Sequence, residues 1–154
     1  MIVKRVILGI SILTIIGCTS QKGVVTRQGI IGEVRWVEGN LMPTIGDTTH
    51  ASRAKGIPAN RNIYIYQAIR LEDAISDGGS LFKSIKSQLV KRAKTNRDGK
   101  FRVILPPGKY SIFSLEEDGF FANSFDGDNY ISPATVDAGK FTEIKILINY
   151  KAYY

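Results

Sequence analysis

Apolar residues in this chain recur mainly at every second position, and that period leaves few folds open. In Ile30-Ile31-Gly32-Glu33-Val34-Arg35-Trp36-Val37, Val34 and Trp36 share one side while Glu33 and Arg35 share the other. Ile63, Ile65 and Ile69 oppose Tyr64 and Tyr66, and Phe101, Val103 and Leu105 oppose Arg102. Near the end, Ile144, Ile146, Ile148 and Tyr150 oppose Glu143 and Lys145. Such alternation is the mark of strands with one face buried. Asp98-Gly99, Pro106-Pro107-Gly108, Asp118-Gly119, Asp126-Gly127 and Ala138-Gly139 place a turn every 8 to 12 residues. That spacing predicts an antiparallel sandwich or small barrel. Asp98-Gly99 is expected to close a hairpin between Lys94-Thr95 and Phe101-Arg102. Pro107-Gly108 is expected to form a type II turn, with positive φ at the glycine. There is no solenoid repeat and no convincing amphipathic helix. The core is expected to hold Trp36, Ile65, Phe101, Val103, Tyr110, Ile146 and Ile148.

The composition fits one globular unit: 154 residues, 44% apolar and 23% charged. It excludes disorder, collagen-like repeats and a polytopic membrane protein. One cysteine excludes a disulfide scaffold, and one cysteine with one histidine excludes a Cys/His zinc site.

Residues 1–17 differ from the rest. Lys4 and Arg5 precede the apolar run Val6–Gly17, which is shorter than the roughly 20 residues that span a bilayer core. It has the length of a secretory signal. The run ends Ile15-Ile16-Gly17-Cys18, which resembles the lipobox of bacterial lipoproteins. The resemblance implies cleavage before Cys18, a diacylglyceryl thioether on its sulfur and a further N-acyl chain. More than one acyl chain gives stable anchoring. Three segments follow: a signal peptide over 1–17, a lipidated tether over 18–28 and a sandwich domain over 29–154. The mature 137 residues carry 19 basic and 14 acidic groups, net +5. The tight basic cluster is Lys91-Arg92-Ala93-Lys94, and the expected address argues against nucleic acid as the partner. By resemblance to lipoprotein sorting signals, the absence of Asp beside Cys18 favours the outer membrane. The leaflet stays open.

Two stretches break the period. Residues 38–60 are long and polar, and residues 70–87 mix a possible helical turn with Gly78-Gly79. Both are expected to be surface excursions, and loops of that length are functional or mobile.

Thr95-Asn96-Arg97-Asp98-Gly99-Lys100-Phe101, followed by Leu105-Pro106-Pro107-Gly108-Lys109-Tyr110, resembles the T-x-x-D-G-x-F…L-x-P-G-x-Y pattern of carboxypeptidase regulatory-like domains. Gly56-Ile57-Pro58 ahead of Ile63–Tyr66 also fits. The clear match covers residues 56–115. More loosely, the mature chain is similar to small lipoproteins of Bacteroidetes-type bacteria that carry this domain alone. The resemblance implies an all-β, seven-stranded antiparallel β-sandwich of prealbumin-like type with a carbohydrate-binding-like placement. It brings no active site.

No catalytic set emerges from the residues. His50 lies in the polar 38–60 stretch without an orienting partner in view and reads as a solvated loop residue. Glu116-Glu117-Asp118 and Glu72-Asp73 are adjacent carboxylates, not a facing pair. Asp126-Gly127-Asp128-Asn129 lacks calcium-loop spacing and reads as a turn. The chain is therefore expected to be no enzyme and to use no cofactor and no metal. Phe120, Phe121, Phe125 and Tyr130, interleaved with Asn123, Asp126 and Asn129, form the candidate binding surface. Two functions compete. One is a membrane-anchored envelope lipoprotein that binds a protein or glycan partner. The other is a transthyretin-like carrier of a small ligand or ion, as a monomer or a dimer.

Overall fold

The computed structural model describes residues 27–76 and 78–154. Cys18, the signal segment and most of the tether lie outside them. The elements are β1 Gly29–Asn40, α1 His50–Lys55, β2 Ile57–Pro58, β3 Asn62–Gln67, β4 Ala74–Ser76, β5 Leu81–Ile85 and β6 Leu89–Lys94, then β7 Lys100–Ile104, β8 Gly108–Glu116, β9 Gly119–Phe121, β10 Pro133–Val136 and β11 Phe141–Tyr153. In the first sheet, β1 has β11 on one side; on the other it pairs β7 with its first half and β2 with its second. The second sheet runs β4-β5-β9-β8-β3-β6, with β10 also on β8. The described residues are all-β apart from α1 and a 3-10 turn at Leu71–Asp73.

The strands number eleven among the described residues, where seven were expected. Moreover, β1 and β11 pair in parallel, from Gly29↔Phe141 to Trp36↔Ile148. All other pairings are antiparallel. A hairpin forces antiparallel neighbours, but the rest of the fold separates these two strands. β11 arrives from the other sheet through the Ala138-Gly139 turn, so no tight loop dictates its direction.

The alternating positions meet between the sheets. Ile65, Phe101, Val103, Tyr110 and Ile148 are buried in one cluster; Trp36 and Ile146 are half-buried and pack against it. The period is thus read correctly on β1, β7 and β11; on β3 it holds for Ile63 and Ile65, whereas Ile69 lies beyond the strand and packs with Tyr66 instead of opposite it. Two turns differ from expectation. Asp98-Gly99 closes no hairpin: β6 belongs to the second sheet and β7 to the first, so the chain changes sheet there. Asn96 Oδ1 accepts from the Asp98 and Lys100 amides, and Gly99 has φ 73°. A Cβ at Gly99 would stand 2.3 Å from the Val34 carbonyl oxygen, so only glycine fits. Gly108 has φ 158°, far from the roughly +80° of a type II turn. Instead it opens β8, and the Tyr110 hydroxyl donates to the Pro106 carbonyl at 2.8 Å.

The two irregular stretches are more ordered than expected. Asp47 Oδ1 accepts from the Thr49 and His50 amides and so caps α1. His50 is half-buried, its Nε2 2.8 Å from the Leu41 carbonyl, and is not a solvated loop residue. Residues 70–87 contain the 3-10 turn and the β4–β5 hairpin. That hairpin closes a second cluster, built on Tyr66, Ile69, Phe82, Phe113, Ala122 and Ile131. β5 and β6 stand four ladder steps apart, about 19 Å in a flat sheet. Yet Ile85 and Leu89 are joined by a link that reaches at most about 14 Å. The second sheet must therefore coil on itself. Its concave side is the one turned away from the first sheet, because Phe82 and Phe113 on that side are fully buried.

Candidate functional site

The strand period disperses the four candidate aromatics. Phe120 and Phe121 are neighbours on β9 and so face opposite ways. Phe121 is fully buried between the sheets, 5.8 Å from the Tyr150 ring. Phe120 is half-buried on the concave side, edge-on to Tyr64 at 5.2 Å. Phe125 is 49% exposed and bridges Ile131. Tyr130 is half-buried between two cations, with Lys109 Nζ 3.7 Å and the Arg70 guanidinium 5.2 Å from its ring centre. These residues do not share one surface, and Phe121 is part of the packed interior.

Asp126 organises the loop that joins them. Its Oδ1 accepts from the Asp128 and Tyr130 amides at 3.0 and 2.9 Å, and its Oδ2 from Lys109 Nζ at 2.7 Å. The Lys109 ammonium first, then those amides, hold its carboxyl below the usual range. Asn129 takes φ 63° in this turn, a conformation asparagine tolerates. Both oxygens of the carboxylate thus have donors from the protein itself.

The same segment builds a different recess with its polar residues. The Phe125–Ile131 bridge sets Ser124 opposite Ser132, with their hydroxyls 3.1 Å apart. Ser132 donates its amide to Ser124 and accepts from Ile112. Its φ is 38°, although it precedes Pro133. A residue before proline prefers extended backbone, so this conformation is strained by about 1–3 kcal/mol. Beside the serines runs β11, the edge of the first sheet away from β1. Asn123 Nδ2 donates to the Leu147 carbonyl and to Asn149 Oδ1, which pins the segment to that edge. Between this contact and the Thr142 hydroxyl bond to Thr135 lies a groove of about 240 Å³. Ile112, Pro133, Ile144 and Ile146 supply apolar wall; Asn123, Ser124, Ser132 and Lys145 supply polar groups. Since the Leu147 carbonyl points outward, backbone alternation turns the Lys145 amide and carbonyl to the same side. The one sequence signal for this groove was Ser132-Pro133; aromatic content pointed elsewhere.

Other chemistry-bearing residues have structural partners. Glu116, nearly buried, accepts from Arg61 Nε through both oxygens at 3.1 Å. Arg61 in turn lies 5.4 Å over Trp36, which meets Tyr150 edge-on at 5.3 Å. Glu117 and Asp118 are exposed hairpin residues. Among the described residues no group of three His, Cys, Asp or Glu is placed to hold a metal ion. No family model, curated protein or solved structure matches the chain.

Proposed function

We propose that the chain is a non-enzymatic envelope lipoprotein, held through lipid on Cys18 to the outer membrane, whose sandwich binds a protein or glycan partner. The finer fold belongs to this reading: a prealbumin-like domain of the carboxypeptidase regulatory-like kind. Its support is the segment from Thr95 to Tyr110, where turn, strand β7, proline step and buried tyrosine follow in the order that the pattern requires.

One observation carries the binding role. The groove beside β11 brings hydroxyl and amide groups, with the backbone of Lys145, against an apolar wall, and the protein holds Ser132 in a strained backbone to make it. Strain of this kind gathers at functional sites. A surface recess of this size suits one sugar ring or one peptide side chain, not an enclosed small molecule.

The anchor is tested by Cys18→Ser, which should move the protein from the membrane fraction to the soluble one. Membrane-bound protein that retains Met1 would contradict cleavage and lipidation. The binding role is tested on a glycan array and by envelope pull-down, with Ser124→Ala and Asn123→Ala beside the parent. Loss of capture at unchanged melting temperature supports the groove; equal capture by all three places the contact elsewhere.

A further inference from the structure

The face of the first sheet that looks away from the core is covered only in part. Toward the end of β1, α1 lies over it: Arg35 donates to the Lys55 and Gly56 carbonyls, and Val37 is buried beneath. Toward the start of β1 no helix or strand packs on it among the described residues, and the Arg102 side chain reaches across it from β7 to the Phe141 ring on β11. There Gly29 stands in register with both Ile104 and Phe141, and Ile31 occupies the next outward position. Ile104 is 56% exposed; Ile31 and Phe141 are half-buried. Ile104 and Phe141 thus form a short apolar row on either side of Gly29, with Ile31 beside it between Arg102 and Glu143.

Cations ring this row. Arg102 lies 4.0 Å over the Phe141 ring. Lys100 and Lys145 flank Glu33, whose carboxyl is held low first by its bond to Arg35 and also by those two lysines. Arg27 and Lys140 are exposed at the same end, where the Gly29 amide donates to the Lys140 carbonyl. The carboxylates nearby are Glu33, Glu143 and Asp137, fewer than the cations. This is also the end at which the chain arrives from Cys18. Nine residues lie between Cys18 and Gln28, ten chain steps with a reach of at most about 35 Å.

From this placement we infer that the start-of-β1 end of the first sheet lies against an anionic phospholipid surface, with Ile104 in the interfacial region and Arg27, Arg102 and Lys140 at the headgroups. The inference rests on the anchored reading of Cys18. An apolar row sunk to headgroup depth and ringed by basic side chains has the two attractions that membrane-surface binding requires. Docked in this way, the sandwich has a fixed orientation on the bilayer.

The test uses full-length lipoprotein in vesicles, with an environment-sensitive dye on Ile104→Cys and, as control, on Arg97→Cys in the sheet-changing turn. In phosphatidylglycerol vesicles the dye at 104 should shift to the blue and escape iodide quenching, while the dye at 97 should do neither. High salt, or Arg102→Gln with Lys140→Gln, should reverse the shift, because headgroup attraction is screened. A dye at 104 that stays quenched in floated vesicles overturns the inference and leaves the anchor standing. A shift that follows protein density in neutral phosphatidylcholine vesicles overturns it too, since a second copy would then cover the row. Failure to float removes the anchor, and the inference with it.

Discussion

At the scale of single residues, burial and hydrogen bonding say which positions of the Thr95–Tyr110 segment matter. Thr95 is buried; its hydroxyl donates to the Ala59 carbonyl and accepts the Arg61 amide, both at 2.7 Å. It ties the approach to β3 to the end of β6. Thr95→Val keeps the shape and removes both bonds, which should destabilise by about 1–3 kcal/mol in a denaturant melt. Phe101→Ala should lose about 3–5 kcal/mol, because the ring fills the space over Gly32 inside the main cluster. Ser132→Gly should behave in the opposite way. Glycine accepts φ 38° without strain, so the melting temperature should hold or rise while partner capture falls. Thr95 and Phe101 were legible because a motif and a period mark them. Ser132 was not, because backbone strain leaves no compositional trace beyond the serine-proline step.

At the scale of elements, alternation names the faces of a strand but not its neighbours. The sequence reading therefore found β1, β3, β7 and β11 and missed that β6 and β7 lie in different sheets. It also took residues 70–87 for loop, since β4 has only three residues and the Leu81-Phe82-Lys83-Ser84-Ile85 of β5 does not alternate. Their role appears only when the sheet coils. Phe82 and Phe113, 5.8 Å apart and fully buried, would be exposed on a flat sheet. Phe113→Ala should thus cost about 3–5 kcal/mol, as much as a change in the inter-sheet cluster. A loss below about 1 kcal/mol would mean that the hairpin does not close over it. The Asp126 loop offers an acid-side test. Its carboxyl is depressed by Lys109 and two amides, so the ordering it provides is present above the unfolded value near 3.9 and is lost as pH falls through the folded one. Protection of the Asp128 and Tyr130 amides relative to an unfolded chain at the same pH should fall there, and Asp126→Ala should show the lower protection already at neutral pH.

At the scale of the whole molecule, the two clusters are separate cores on opposite faces of the second sheet, and tyrosines report on both. Tyr66 lies in the concave cluster, Tyr110 in the inter-sheet cluster, and Tyr150 packs against the latter beside Phe121. Burial pushes all three phenols above their ordinary value, and for Tyr150 the Glu116 and Asp118 charges add to it. A raised folded value means that the contribution of these groups to stability is complete below the unfolded value near 10 and declines as pH rises toward the folded one. The tyrosine contribution to stability should accordingly be constant through neutrality and decline from about pH 10 upward. If the two cores are one cooperative unit, phenolate absorbance and loss of the strand signal in circular dichroism should follow a single transition. If they are independent, Tyr66→Phe should shift only the transition of the concave side and leave Tyr110 titrating as before. The shared strands β3 and β8, which carry Ile65 and Ile112 on one face and Tyr66 and Phe113 on the other, favour a single transition. Neither core can open without stripping the backbone on which the other is built.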